Sequence, residues 1–320
     1  MSKFNSLPEL KETNLFVCPN VCNLVFKTLL LLIIIGVSPA KAQTIFLNHA
    51  HYGSYGVSAN PALSLLSTKG SLSFTGRQQW VGLDGAPRVF WGSGHIGLER
   101  LGATAGVHLR QDRVGVERHT EASLFFAKSV RISERDYIGL SMNAGLAHYD
   151  ARYSSLDGTD PSFRDDVLES DALLGFGAVI YRPDVYYAGI SMPRFTMGGV
   201  GAFGDTRYNF QNRYYFTGAI VLPIGEELHV RPSVLVSYSA DMGTQLDGSA
   251  MVFVKQLVGL GLGARSQGDL SGLLRLNFSG FGIGYSYQFK PGNQPLNRQI
   301  NNSTHEIGLS YDFSGRNRML

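Results

Sequence analysis

Arg77-Gln78-Gln79-Trp80-Val81-Gly82-Leu83-Asp84-Gly85-Ala86-Pro87 is the stretch on which the reading of the fold turns. Before it, Ser71-Leu72-Ser73-Phe74-Thr75 alternates polar and apolar residues. After it, Val89-Phe90-Trp91 resumes with residues that favour extended backbone. Asp84-Gly85 readily takes the conformations that reverse a strand, and Pro87 has no N–H to give a ladder. The stretch is therefore strand, turn, strand, with Trp80 closing the first strand. In a membrane barrel an aromatic belongs at that level, where hydrocarbon meets headgroups. A surface hairpin of a soluble β protein with a packed Trp fits these residues equally well, so the rest of the chain has to decide.

Downstream, alternation recurs. Ile138, Leu140, Met142, Ala144 and Leu146 share one parity, with Gly139, Ser141, Asn143 and Gly145 on the other. Val230, Pro232, Val234, Val236 and Tyr238 oppose Arg231, Ser233 and Ser237, with Leu235 the exception. Phe281, Ile283, Tyr285, Tyr287 and Phe289 alternate with Gly282, Gly284, Ser286 and Gln288. His305, Ile307, Leu309, Tyr311 and Phe313 alternate with Glu306, Gly308, Ser310 and Asp312. Period two means strands with one apolar face. The opposite face is small and polar, whereas the outside of a soluble sandwich normally carries more Lys, Glu and Thr. Apolar out, small and polar in, with aromatics at the ends, is the pattern of an outer-membrane barrel.

Counted this way, the chain holds about fourteen strands, and an even number is usual for single-chain bacterial barrels. They fall near 71–80, 88–97, 103–110, 118–128, 136–148, 171–181, 185–191, 207–222, 228–239, 248–256, 258–265, 270–278, 281–290 and 304–313. The longest connections, about 149–170, 192–206 and 291–303, all follow odd-numbered strands. Even-numbered links such as Glu99–Gly102, Arg182–Asp184 and Ser279-Gly280 are tight. Short turns at one end and long loops at the other is again the barrel rule.

Composition agrees. Charged residues make up 17% of the chain and Gly 38 of its 320 residues. These shares sit below and above the usual ~25% and ~7%. The mean hydropathy of −0.02 excludes a bundle of membrane helices, and a net charge of +3 is too small to argue for nucleic acid.

The N-terminal region reads as an export signal spanning residues 1–42. Leu29–Val37 is apolar but too short to span a bilayer, which needs about twenty residues. Lys27 precedes it, and Ala40-Lys41-Ala42 is an A-x-A site with cleavage expected after Ala42. The stretch before the apolar core is unusually long, and an uncleaved anchor is the alternative. Both cysteines, Cys18 and Cys22, fall inside this segment, so the mature chain has no thiol. Residues 43–68 read as a periplasmic lead-in ending in the Asn60-Pro61 turn, and 69–320 as the barrel.

Catalytic patterns are absent from the sequence: no Gly-x-Ser-x-Gly, no P-loop and no His-Glu-x-x-His. Gly259-Leu260-Gly261-Leu262-Gly263 lacks the helix a dinucleotide loop needs and suits the small inner face of a strand. His49-x-His51 is one pair without a third ligand. The acidic loop around Asp157, Asp160, Asp165 and Asp166 lacks the spacing of a calcium loop. His305 and Glu306 are neighbours on a strand and face opposite sides, so they cannot act on one substrate. Parity instead puts Arg77, Arg110, Arg231, Arg275 and Glu306 inside the lumen. The expectation is a non-enzymatic protein with no cofactor and no metal.

Several stretches taken together carry a resemblance. They are Asn60-Pro61-Ala62, Arg77–Pro87, and Tyr186-Tyr187-Ala188-Gly189-Ile190-Ser191-Met192-Pro193. Arg213-Tyr214-Tyr215-Phe216 follows, then Pro223 and Arg231-Pro232-Ser233-Val234-Leu235. Last come Gly284-Tyr285-Ser286-Tyr287 and Ser303-Thr304-His305-Glu306-Ile307. In kind and order the chain resembles the PorP/SprF family of Bacteroidetes over about residues 50–313. The resemblance implies an outer-membrane barrel of the type IX secretion system, one that helps secrete or anchor cargo such as gliding adhesins by protein–protein docking. It implies, as partners, other secretion components and the C-terminal domains of secreted adhesins, within outer-membrane lipid. It marks Asn60, Pro61, Gln79, Trp80, Gly82, Leu83, Asp84, Gly85, Pro87, Gly189, Pro193, Pro232, His305 and Glu306 as structural or partner-docking positions. His51–Ser58 departs from the more apolar lead-in usual in the family. A porin for small solutes is the alternative function; a lipase or protease barrel would need a Ser/His/Asp set that does not stand out here.

Overall fold

The structure, a computed structural model, describes residues 50–156, 160, 165–195, 212–240, 242–291 and 303–320. The export signal, Cys18, Cys22, His49 and Asp157 lie outside the described residues.

Antiparallel strands make up nearly all of it. In chain order they are β1 (Gly70–Gln79), β2 (Arg88–Leu98), β3 (Ala103–Val114), β4 (Glu117–Arg131) and β5 (Tyr137–Ala151). Then follow β6 (Val167–Arg182), β7 (Tyr186–Phe195), β8 (Arg213–Ile220), β9 (Leu222–Ile224) and β10 (Leu228–Ser239). The wall ends with β11 (Gly243–Val254), β12 (Val258–Arg265), β13 (Leu270–Phe278), β14 (Phe281–Phe289) and β15 (Thr304–Asp312). Apart from β8 and β9, each strand pairs with its sequence neighbours, and β15 pairs with β1 from Ser71↔Asp312 to Gln79↔Thr304, which closes the sheet. β8 and β9 are two pieces of one wall strand. Both pair with β10 in a single register, Ala219 with Ser233 and Leu222 with Val230. The break between them falls opposite Arg231 and Pro232, and Pro232 has no N–H for the ladder. The barrel therefore has fourteen wall strands, the number read from the alternation.

The alternation sorts the residues as expected. Phe281, Ile283, Tyr285, Tyr287 and Phe289 are exposed on the outer face of β14, and Gly282, Gly284, Ser286 and Gln288 are buried inside. Ile138, Leu140 and Met142 face outward from β5. Arg77, Arg110, Arg231, Arg275 and Glu306 are all buried on the lumen side. Leu235 faces inward too, and packs with Tyr52 and Ala59. Gly259 leaves room for the Phe253 ring, which a Cβ there would meet at 2.6 Å.

One end of the barrel, here the near end, carries Gly70 and Asp312. Its links are short: 99–102, 132–136, 183–185, 225–227, 255–257 and 279–280. At the far end, links 80–87, 152–166, 196–212 and 290–303 are long, while 115–116, 240–242 and 266–269 are tight. Aromatic residues ring the outer face at both ends. Phe281 and Tyr311, with ring centroids 4.4 Å apart, mark the near end. Tyr214 with Tyr238, and Tyr287 with His305, mark the far end. His305 belongs to this girdle, where its Nδ1 lies 2.8 Å from the Tyr285 hydroxyl.

The near-end turns are clipped together by Asp136. Its two oxygens accept from Arg182 Nε and Nη2, each at 2.9 Å, and the Tyr186 hydroxyl donates to it at 2.9 Å. The Arg182 guanidinium and the Ser133 hydroxyl hold the Asp136 carboxyl well below the usual carboxylate range. A depressed folded-state pKa gives stability that is fully present above the unfolded value of about 4 and is lost as pH falls below it. Thermal melts of Asp136→Asn and wild type should therefore differ near neutrality and converge in acid; a gap that persists in acid argues against the clip.

Met142 lies midway along the outward apolar run of β5, which ends where His148 emerges. Met142→Arg should cost about 2–4 kcal/mol, the usual figure for a cation at the bilayer midplane. Ser141→Ala, facing the lumen one residue away and removing a hydroxyl that has no hydrogen-bond partner among the described residues, should cost far less. Urea titrations of the refolded barrel compare the two.

Candidate functional site

The expected lead-in, 43–68, is described from Ala50, and from there to Ser67 it runs inside the barrel rather than on its near side. The reason is in its composition. Tyr52, Tyr55, Leu63 and Leu65 are apolar or aromatic, and all four are buried.

Asn60 starts the longer of the plug's two 3₁₀ turns, the other being Gly56–Ser58. Its Oδ1 accepts from the Ala62 N–H at 3.0 Å, capping the short 3₁₀ helix Pro61–Leu66. Pro61 suits the first helical position, where an N–H would have no partner. The Asn60 Nδ2 donates to two wall carbonyls, Ala178 at 3.0 Å and Ile190 at 3.2 Å. Those two residues are register partners across β6 and β7. Gly189 and Gly177 make this approach possible: a Cβ at either would lie 2.7 or 2.2 Å from the Asn60 amide. One position later, the Ser191 hydroxyl donates to the Ala59 carbonyl at 2.7 Å.

Two tyrosines fix the plug to other parts of the wall. The Tyr52 hydroxyl lies 2.9 Å from the Ser233 carbonyl and 3.1 Å from that of Asp247, on β10 and β11. The Tyr55 ring rests on Gly284 and Gly308, which face each other across β14 and β15. Arg275 Nη1 donates to the Tyr55 hydroxyl at 2.7 Å, and the guanidinium carbon sits 5.1 Å from the ring centroid. This is a cation–π contact made where water is excluded, the setting in which such contacts are strongest.

Glu306 completes the hold. Its carboxylate is fully buried and accepts from the backbone N–H of Ala50 at 3.1 Å and of His51 at 3.2 Å. His51 Nε2 donates to the Tyr285 carbonyl at 2.9 Å. Hydrogen bonds to a charged group contribute about 1.5–3 kcal/mol, and losing one partner of a buried pair costs more.

From the near end, residues 314–320 fold back against the plug. Arg318 donates to the Leu66 carbonyl and pairs with Asp312 at 2.6 Å. Asp312 also accepts from Ser67 at 2.7 Å. Arg231 donates to the carbonyls of Gly53, at 3.2 Å, and Met319. Leu320 packs against the cluster of Leu63, Leu65 and Tyr187.

The positions marked in the sequence thus divide. Asn60, Pro61, Gly189 and Glu306 meet at the plug. Pro193 lies at a wall irregularity beside it, where its carbonyl accepts from Asn143 Nδ2 at 2.9 Å. Gln79, Trp80, Gly82, Leu83, Asp84, Gly85 and Pro87 form the far-end turn. There the Gln79 N–H reaches the Pro87 carbonyl at 3.0 Å and the Trp80 N–H reaches Ser303 at 2.9 Å. Gly85, at φ 73°, accepts from the Gly115 N–H of the next turn at 2.8 Å. Pro232 faces outward, away from the plug. Sequence reasoning missed Tyr52, Tyr55, Ser191 and the 314–320 segment. The available signal was His51–Ser58, the stretch that departs from the more apolar lead-in.

A sequence model for the type IX secretion system membrane protein PorP/SprF matches residues 43–311. The chain belongs to the PorP/SprF family. It is an outer-membrane barrel, so the near end, with its short turns, faces the periplasm. No curated protein matches it. Among solved structures, the CymD monoaromatic hydrocarbon channel aligns at a TM-score of 0.50 and 14% identity, covering 84% of this chain and 94% of that one. The P. putida toluene transporter TodX aligns at 0.47 and 9%, covering 81% and 94%. At such identities the likeness to CymD is one of barrel fold alone.

Asn60→Ala should destabilise the barrel by about 1–3 kcal/mol, since the Ala62 N–H and two wall carbonyls lose a partner. Gly308→Ala should loosen the plug because the new methyl meets the Tyr55 ring at 2.5 Å. Combined with Tyr55→Ala, it should cost less than the sum of the two single changes. Denaturant melts of all four proteins complete the double-mutant cycle.

Proposed function

We propose that this PorP/SprF barrel serves the type IX secretion system as a docking component that does not conduct, engaging other secretion proteins and the C-terminal domains of secreted adhesins. It works without catalysis and without a cofactor. The observation that supports a docking role over solute passage is the filled lumen. Residues 50–67 hydrogen-bond to β6, β7, β10, β11, β13, β14 and β15, and to β3 through the Ser64 and Thr104 hydroxyls at 2.5 Å, and 314–320 back them from the periplasmic end. A barrel filled in this way has its far-end loops and periplasmic turns left as contact surfaces.

Gene deletion followed by mass spectrometry of culture medium and cell surface tests the reading. Loss of one or a few large surface proteins, with bulk secretion intact, marks a partner barrel dedicated to those cargoes. Loss of every type IX substrate marks a core component. Intact secretion with impaired uptake of a solute would replace this reading with a porin. The purified barrel in a planar bilayer should be electrically silent, and deletion of residues 314–320 together with Glu306→Ala should produce openings.

A further inference from the structure

The far half of the lumen holds a cationic recess, floored by the plug residues Ser58 and Pro61, whose arginines take no part in holding the plug. Arg194 and Arg213 are register partners across β7 and β8, and both point inward with 4% and 8% of their surface exposed. Like charges set directly opposite each other repel. Arg194 is answered by Glu121. Arg110, on β3, is answered by Asp112, with Nε at 3.0 Å from the carboxylate. Among the described residues Arg213 has no such carboxylate, and its buried Nε and Nη1 have no hydrogen-bond partner. Among the described residues, the carboxylates paired with these arginines are Asp112 and Glu121, and His108 lines the same cavity. A buried guanidinium with unanswered donors is a strongly unfavourable state unless an anion meets it.

The ladder is irregular at this point. Pairing between β7 and β8 skips from Ser191 to Arg194, and the Pro193 carbonyl turns to Asn143 instead. Behind the skip is a cavity of about 30 Å³, lined by Arg110, Glu121, Asn143, Pro193, Arg194 and Arg213. That is room for about two water-sized oxygens, the size of a carboxylate head. We propose that this recess binds a carboxylate, with Arg213 as its principal donor. Guanidinium–carboxylate pairing is the strongest match available to a side chain of this chemistry. The carboxylate can be a free small anion or an acidic side chain of a docked protein. The site does not depend on the secretion reading.

Thermal melts of the full-length barrel in detergent test it, in zwitterionic buffer with sodium acetate, hexaglutamate or sodium chloride at matched ionic strength. Acetate should raise the melting temperature by several degrees beyond chloride. Arg213→Gln should abolish that rise and, without added anion, melt at or above wild type, because the uncompensated charge is gone. Arg100→Gln, an exposed change in a near-end turn, should leave the rise intact. A tenfold lower half-effect concentration for hexaglutamate assigns the site to acidic side chains; acetate acting alone assigns it to small free anions. The proposal is overturned if acetate does no better than chloride, or if Arg213→Gln responds like wild type. Should Arg213→Gln not fold, Arg213→Lys must raise the acetate requirement several-fold, and an unchanged requirement sinks the site.

Discussion

The structure depends on the ladder between β1 and β15. Hydrocarbon offers no hydrogen bonds, so a sheet with a free edge cannot stand in a bilayer. Pairing from Ser71↔Asp312 to Gln79↔Thr304 removes both edges at once. With the ring closed, parity decides every side chain's surroundings. Most Leu, Ile and Phe meet lipid, Leu235 and Phe253 being inward exceptions; Gly, Ser, Asn and buried Arg meet the lumen. The aromatic girdles at Tyr285–Tyr287–His305 and Phe281–Tyr311 mark where lipid ends.

Closure creates the second problem. A ring of this size encloses more space than its own inward side chains fill, since they are mostly small. This barrel fills it with its own chain. Small wall residues, above all Gly177, Gly189, Gly284 and Gly308, let the plug's Asn60 and Tyr55 come against backbone. Larger polar ones, Arg231, Arg275 and Glu306, reach in and bind it. The inner face is therefore a fitted surface, with glycine at the points of closest approach and charge at the points of grip.

Alternation made the wall legible. β10, β12 and β13 fall at the residues where the period-two pattern placed them. β3, β5 and β6 run further toward the far end than the pattern indicated. There the outward residues become Gln111, Arg113 and His148, since the strands rise beyond lipid and both faces turn polar. Asn60 and Glu306 stood out in the sequence, but nothing local shows that they flank one plug. Their link runs through contacts such as Tyr52 with Ser233 and Asp247, distant in the chain, which no periodicity encodes. Residues 314–320 were illegible for the same reason: Arg318 and Met319 acquire meaning only beside Leu66 and Arg231.

The order of these contacts along the chain has a consequence for assembly. The plug precedes β1, while Glu306, which binds its Ala50 and His51 amides, sits on β15, the strand that shuts the ring. A ring shut without the plug would seal in a carboxylate deprived of both amide donors, and Arg275 deprived of the Tyr55 hydroxyl. Closure and loading are thus coupled. The seam that joins the first and last wall strands carries one of the groups that grips the plug, so a closed but empty barrel would leave that carboxylate unanswered.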